Sequence, residues 1–316
     1  MTKARQNCTA IRGRIIDIVA VCGDPSLIEQ NIRQYEDGLL LIRDGKVQWF
    51  GQWNAGRFQI SEDCPIHHYR DKLIVPGFVD THLHFPQADI LGAYGDQLLL
   101  WLEKNVFPTE QKFKDEQYAS EMAEFFLDQL MRNGTTTAAV FCSVHPQSVE
   151  ALFQSASKIN MRLIAGKVLM DRNAPDDLLD TPISGYDQSK MLIYKYHRSG
   201  RLLYGITPRF APTSTPEQLE MAGQLRREFP DTYVQTHLSE NQEEIKWVRK
   251  LFPKLKNYLD VYHQYGLTGP RSIFGHCLHL EDSEWKRMQD TDSVIAFCPT
   301  SNLFLGSGLF NRLQAQ

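Results

Sequence analysis

The chain has 316 residues, enough to bury a large core and to hold one big domain together with a small one. Its charged fraction of 23% and hydrophobic fraction of 42% are those of an ordinary globular protein, and a formal net charge of −4 gives no electrostatic basis for binding nucleic acid or a membrane surface. Six cysteines (Cys8, Cys22, Cys64, Cys142, Cys277, Cys298) include no Cys-x-x-Cys pair, the N-terminus lacks an apolar signal core, and no apolar stretch approaches about 18 residues, so the reading is of free thiols in a reducing, cytoplasmic setting.

Up to residue 72 the rhythm is strand and turn. Residues 15–19, 39–42 and 47–50 are apolar runs, and Asp44-Gly45 between the last two is a hairpin signal because glycine tolerates the positive φ of such a turn. Residues 1–72 are therefore expected to form a small β domain without obvious chemistry, with His67-His68 in a solvated polar stretch.

From residue 73 onward strand-like and helix-like segments alternate. The run at 74–84 is apolar and β-branched and ends in His82-Leu83-His84. A helical pattern at 115–132 closes at Asn133-Gly134 and leads into the β-branched run 135–141. Further strand candidates lie at 162–170, 202–207, 233–238, 272–274 and 293–297, and Thr215-Pro216-Glu217-Gln218 reads as a helix start. Such alternation predicts parallel strands closing into a (β/α)8 barrel over 73–316. A doubly wound sheet is the second choice, since no glycine-rich phosphate loop follows any strand. Seven strands can be counted within the chain, starting near 74, 135, 162, 202, 233, 272 and 293.

Chemistry in a barrel collects at the C-terminal ends of its strands. His82 and His84 share one face of the first strand, His237 ends the fifth and His276 the sixth. Neutral imidazoles suit zinc, with iron or another divalent ion as alternatives. Glu240, three residues past His237, can stand beside such a centre as a general acid and base. His145, His197 and His263 fall in helical contexts where a surface role is the default, and His279 is a marginal candidate. The zinc deaminases that use His-x-Glu with Pro-Cys-x-x-Cys are set aside, because no Pro-Cys-x-x-Cys occurs: Cys298-Pro299 is reversed and has no partner cysteine.

The motifs Val-Asp-Thr-His-Leu-His at 79–84, Thr-His-Leu-Ser-Glu at 236–240, Gly-His-Cys at 275–277 and Ala-Phe-Cys-Pro-Thr-Ser-Asn at 296–302 together resemble the amidohydrolase superfamily. Phe85-Pro86-Gln87 and Pro208-Arg209-Phe210-Ala211-Pro212 narrow the resemblance to the guanine deaminases. The resemblance implies an amidohydrolase-type TIM barrel with a small β-sandwich domain, and one zinc ion held by His82, His84 and His237. It further implies that His276 orders the attacking water, that Glu240 shuttles protons, and that guanine is hydrolysed to xanthine and ammonia. The implied substrate-binding set is His84, Phe85, Pro86, Gln87, Arg209, Phe210, His237 and Glu240. In it Arg209 forks onto a ring carbonyl, Gln87 offers a donor and an acceptor, and Phe210 walls a flat heterocycle. An ion pair with a nearby carboxylate is the alternative for Arg209.

Guanine is thus the expected small-molecule partner, with no nucleic acid or membrane, and with pairing into a homodimer. The alternatives are a related deaminase or chlorohydrolase acting on another heterocycle, or a non-catalytic remnant. Members of the family continue into an eighth strand with a Thr-Asp motif whose aspartate completes the metal site. From its absence in residues 1–316, the expectation is a C-terminally truncated chain with little deaminase activity and poor solubility.

Overall fold

The structure, a computed structural model, describes residues 7–20, 27–93 and 97–315; Cys22 and residues 1–6 lie outside them. The chain divides into two compact units, Met1–Gly77 and Phe78–Gln316.

In the first unit, β1 (Cys8–Ile18), β2 (Ile32–Arg43), β3 (Lys46–Gln52) and β4 (Ile66–Ile74) form one sheet in the order β3-β2-β1-β4. β2 runs antiparallel to β1 and β3, whereas β4 is parallel to β1. The turn between β2 and β3 places Asp44 and Gly45 at φ 48° and 73°, the positive values that an Asp-Gly hairpin tolerates. Ala10, Leu39 and Leu41 project from one face and pack with Trp49, Trp53 and Ile60, as the alternation of side chains along a strand requires.

Two expectations are corrected here. Cys8 and Cys64 are not free thiols but are joined by a disulfide, 56 residues apart in sequence with Cα atoms separated by 5.2 Å. The small sheet brings them together, which no local spacing rule detects. Cys142, Cys277 and Cys298 are free and buried. Residues 66–74, read as a polar lead into the barrel, are strand β4 of the small sheet and carry His67 and His68 exposed. The two compact units divide at Gly77, five residues past the expected 72, and the first barrel strand begins at Phe78 rather than near 74.

The second unit contains β5 (Phe78–His84), β6 (Thr135–Phe141), β7 (Arg162–Gly166), β8 (Val168–Leu169), β9 (Leu202–Pro208), β10 (Tyr233–Leu238), β11 (Ser272–His276) and β12 (Val294–Ala296). Seven of these follow the order β12-β11-β10-β9-β7-β6-β5 with every neighbouring pair parallel, and the two-residue β8 pairs with β9. Strands covered on both faces read as continuous apolar runs, which is why these segments stand out in the sequence. β5 and β11 are five steps apart along this path, roughly 24 Å on a flat sheet at about 4.8 Å per strand. Yet the His82 and His276 rings at their ends lie 5.1 Å apart, so the sheet curls into a barrel.

Ala139, Ile164, Leu203, Ile273 and Ala296 pack together in one small cluster. A larger core joins the strands to surrounding helices, among them Glu116–Arg132, Pro146–Lys158, Pro182–Tyr196 and Pro216–Glu228. The expected helix start at Thr215 is present, its side chain accepting from the Gln218 amide. Among the described residues, no helix is long and apolar enough to cross a membrane.

Candidate active site

The strand ends of the second unit converge on a cavity of about 660 Å³ lined by His82, His84, Gln87, Arg209, Phe210, His237, Glu240 and His276, among others. One nitrogen from each of His82, His84 and His237 falls within 4.8 Å of the others. The approach of β5 to β11 depends on Gly275, where a Cβ would stand 2.6 Å from the His82 ring.

His84 Nε2 faces His237 Nε2 at 2.9 Å. His237 Nδ1 lies 2.6 Å from the Arg209 carbonyl oxygen, a hydrogen bond in which the ring nitrogen donates, so Nε2 carries the lone pair. Burial first, and then the neighbouring imidazoles, hold all three histidines well below the ordinary histidine range and keep them neutral. At 2.9 Å the two Nε2 atoms are within hydrogen-bond distance; with the His84 proton on Nδ1 instead, both lone pairs point to one spot, and three imidazole donors there suit a divalent transition metal. A second group, His82, His276 and the Cys298 thiol, spans a similar distance; among the described residues neither group includes a carboxylate.

His276 ends β11 with φ at +70°, sparsely populated for a residue with a Cβ, and the following Cys277 is also left-handed at +53°. The turn is held by the Cys277 amide donating to the Leu238 carbonyl at 2.9 Å. The His276 ring is fixed by Asn302, whose Oδ1 lies 2.7 Å from Nδ1. If Nδ1 carries the donated proton, Nε2 is left as an acceptor toward Glu240 Oε2 at 3.3 Å.

Glu240 follows Ser239, itself left-handed at φ +50°, which turns the chain out of β10. Its amide and that of Asn241 both donate to Glu244 Oε2, at 2.9 and 3.1 Å, so the cap of the helix Gln242–Leu251 fixes Glu240 from behind. Burial pushes the Glu240 carboxyl up to about 8, so at neutral pH it carries a proton that can be shared with His276 Nε2. Glu240 Oε1 is buried without a partner among the described residues.

Arg209 is 2% exposed and forms an ion pair with the fully buried Glu110, its Nη1 lying 2.8 and 2.7 Å from the two carboxylate oxygens. The ion-pair alternative for Arg209 is thus realised while Arg209 still lines the cavity. Phe210 stands edge-on to His237 at 6.4 Å between ring centres.

Phe85 and Pro86 are not brought to the cavity: Phe85 is wholly buried in the core against Phe113 and Phe126. Being next in sequence to His84 placed them in the motif, but the turn Phe85–Ile90 aims the Phe85 ring inward and brings Gln87, with Ala88 and Ile90, to the cavity. His279 bonds the Ser307 carbonyl at 3.0 Å, while His197 is buried against Asp231 and the Tyr204 amide rather than on the surface. Sequence reasoning missed Glu110, which stands in the mixed run Phe107-Pro108-Thr109-Glu110-Gln111-Lys112 where nothing local marks it. It also passed over Asn302, which closes the Ala-Phe-Cys-Pro-Thr-Ser-Asn motif without having been given a role.

Residues 73–315 match the amidohydrolase family, and the chain belongs to that family. Relatives similar to it include guanine deaminases. That of Escherichia coli (strain K12) is 60% identical over 315 residues, covering 100% of this chain and 72% of the relative. The Mus musculus guanine deaminase is 37% identical over 250 residues, covering 77% of this chain and 54% of the relative. Among solved structures, E. coli guanine deaminase superposes with a TM-score of 0.95 at 61% identity, covering 97% of this chain and 71% of that one. The C. acetobutylicum guanine deaminase with guanine bound in its active site gives 0.87 at 31% identity, covering 96% and 70%.

Proposed function

We propose that the protein hydrolyses guanine to xanthine and ammonia. The observation that carries this reading is the convergence of His82, His84, His237, Glu240 and His276 with Gln87, Arg209 and Phe210 on one cavity. The expectation of little activity and the alternative of a non-catalytic remnant meet the same assay: folded, zinc-loaded protein that forms no xanthine would favour them.

His82, His84 and His237 are the proposed metal ligands, zinc being the first choice and iron the alternative. Such an ion supplies Lewis acidity that makes water a nucleophile near neutral pH. The remaining work falls to the chain's own groups. Water adds at the amino-bearing ring carbon, the bond from that carbon to the amino nitrogen breaks, and ammonia leaves. Glu240 exchanges protons between the water, the ring nitrogen and the departing amine, a task suited to a carboxyl group that titrates near neutrality. His276, oriented by Asn302, holds the water and the reacting centre in register with Glu240. Arg209 donates to the ring carbonyl, Gln87 bonds the base edge, and Phe210 stacks against the heterocycle. A base lacking the carbonyl leaves Arg209 donors unpaired, which is the basis of selectivity.

The proposal includes a cytoplasmic location, read from the cysteine pattern, and a homodimer, which rests on the family resemblance. The free thiols of Cys142, Cys277 and Cys298 favour a reducing compartment, and the Cys8–Cys64 disulfide counts against one. A substrate panel of guanine, adenine, cytosine and a triazine tests the reading. Preference for guanine, abolished by Arg209→Ala, is expected; equal or better turnover of another heterocycle would replace guanine as the substrate.

A further inference from the structure

Glu110 lies 99 residues before Arg209 in sequence, is not itself among the residues lining the cavity, and is wholly buried behind Arg209. The pair has a feature that an ion pair built only for stability does not need. Both carboxylate oxygens are bonded to the single nitrogen Nη1, at 2.8 and 2.7 Å, instead of to two nitrogens in a parallel fork. Among the described residues, Nε and Nη2 have no bonded acceptor, although Arg209 is 2% exposed and borders the cavity.

Glu110 is itself anchored. It ends the short helix Phe107–Glu110, its main-chain oxygen accepts from Ser143 Oγ at 3.1 Å, and the Phe107 ring lies under the guanidinium at 5.6 Å. The Arg209 backbone is held as firmly: its amide donates to the Leu169 carbonyl at 3.3 Å, and its carbonyl accepts from His237 Nδ1 at 2.6 Å. The guanidinium is thus fixed from both ends, on a side chain that lines the same cavity as the histidines and uses only Nη1 in its ion pair.

We propose that Glu110 is the positioning residue for specificity at this site. It holds Arg209 by Nη1 so that Nε–H and Nη2–H meet the carbonyl oxygen of a six-oxo purine, and so selects that class over purines lacking the carbonyl. This rests on the guanine reading above, in which Arg209 recognises the ring carbonyl. Glu110 acts through Arg209 and does not touch the substrate.

The test compares guanine with 2-aminopurine, the same base without the ring carbonyl, in the zinc-loaded wild type, Glu110→Gln and Glu110→Asp. Where 2-aminopurine is not turned over, its inhibition constant serves in place of its kcat/KM. A charge-assisted hydrogen bond that loses its geometry predicts a fall in guanine kcat/KM of about 10- to 100-fold for Glu110→Gln, mostly through KM. The constant for 2-aminopurine should change by less than about threefold, since that base never engaged the Arg209 donors. Glu110→Asp keeps the charge and should retain part of the discrimination, and it decides the matter if the Gln variant does not fold. Equal losses for the two bases, or a loss confined to kcat, would overturn the positioning role and leave Glu110 a structural residue. Failure of the wild type to deaminate guanine would instead defeat the guanine reading, so the two ideas fail separately.

Discussion

Replacing Glu240 by glutamine separates its proton chemistry from its shape. The carboxyl is buried, one oxygen faces His276 Nε2 at 3.3 Å and the other has no partner among the described residues. Burial raises it to about 8 from an ordinary value of 4.5. A carboxyl raised in the folded state binds its proton more tightly there than in the unfolded chain. Its contribution to stability is therefore fully present below about pH 4.5 and is lost as pH rises through about 8. At about 1.4 kcal/mol per pH unit, holding Glu240 in its site at pH 7 costs the metal-free protein about 3 kcal/mol, and under about 1 kcal/mol at pH 5. Glutamine has no charge to suppress. Metal-free Glu240→Gln should therefore exceed the wild type in urea-unfolding free energy by up to about 3 kcal/mol at pH 7, with the gap closing toward pH 5. The same variant cannot carry a proton, so turnover of guanine should fall by about 10²- to 10⁴-fold while bound metal stays unchanged. Equal stabilities at the two pH values, or turnover within about threefold of wild type, would refute the reasoning.

Other perturbations follow from the same geometry. Asn302→Ala removes the acceptor that orients His276 and should lower kcat about tenfold with metal content unchanged, read from steady-state rates and metal analysis. Asp180→Ala strips the partner from Lys167, which is wholly buried beside it, and should cost about 3–5 kcal/mol in denaturant unfolding. The double change Lys167→Met with Asp180→Leu should recover most of that loss, because no charge is then left unpaired. His84→Ala, which removes one of two nitrogens 2.9 Å apart, should abolish tight zinc binding as measured by competition with a chelator.

Much of the barrel was legible because parallel strands covered on both faces must be apolar runs, and because chemistry sits where those runs end. His82, His84, His237 and His276 each stand at or near the C-terminal end of a strand, and Glu240 was found by its offset from His237. What escaped had no local signature. Glu110 meets Arg209 across 99 residues of sequence, and Cys8 meets Cys64 across 56. Residues 66–74 show no alternation of apolar and polar side chains because most of them are exposed, so a strand passed for a polar linker. Phe85 was grouped with its neighbours in the motif, but adjacency does not determine direction, and its ring turns into the core.

The most direct measurement is xanthine formation from guanine by metal-stripped protein titrated with zinc. Turnover that rises with added zinc and saturates near one ion per chain is the expected result for a single centre built from His82, His84 and His237. Folded, zinc-loaded protein that forms no xanthine, or turnover indifferent to zinc and to its removal, would contradict a metal-dependent guanine site at the mouth of this barrel.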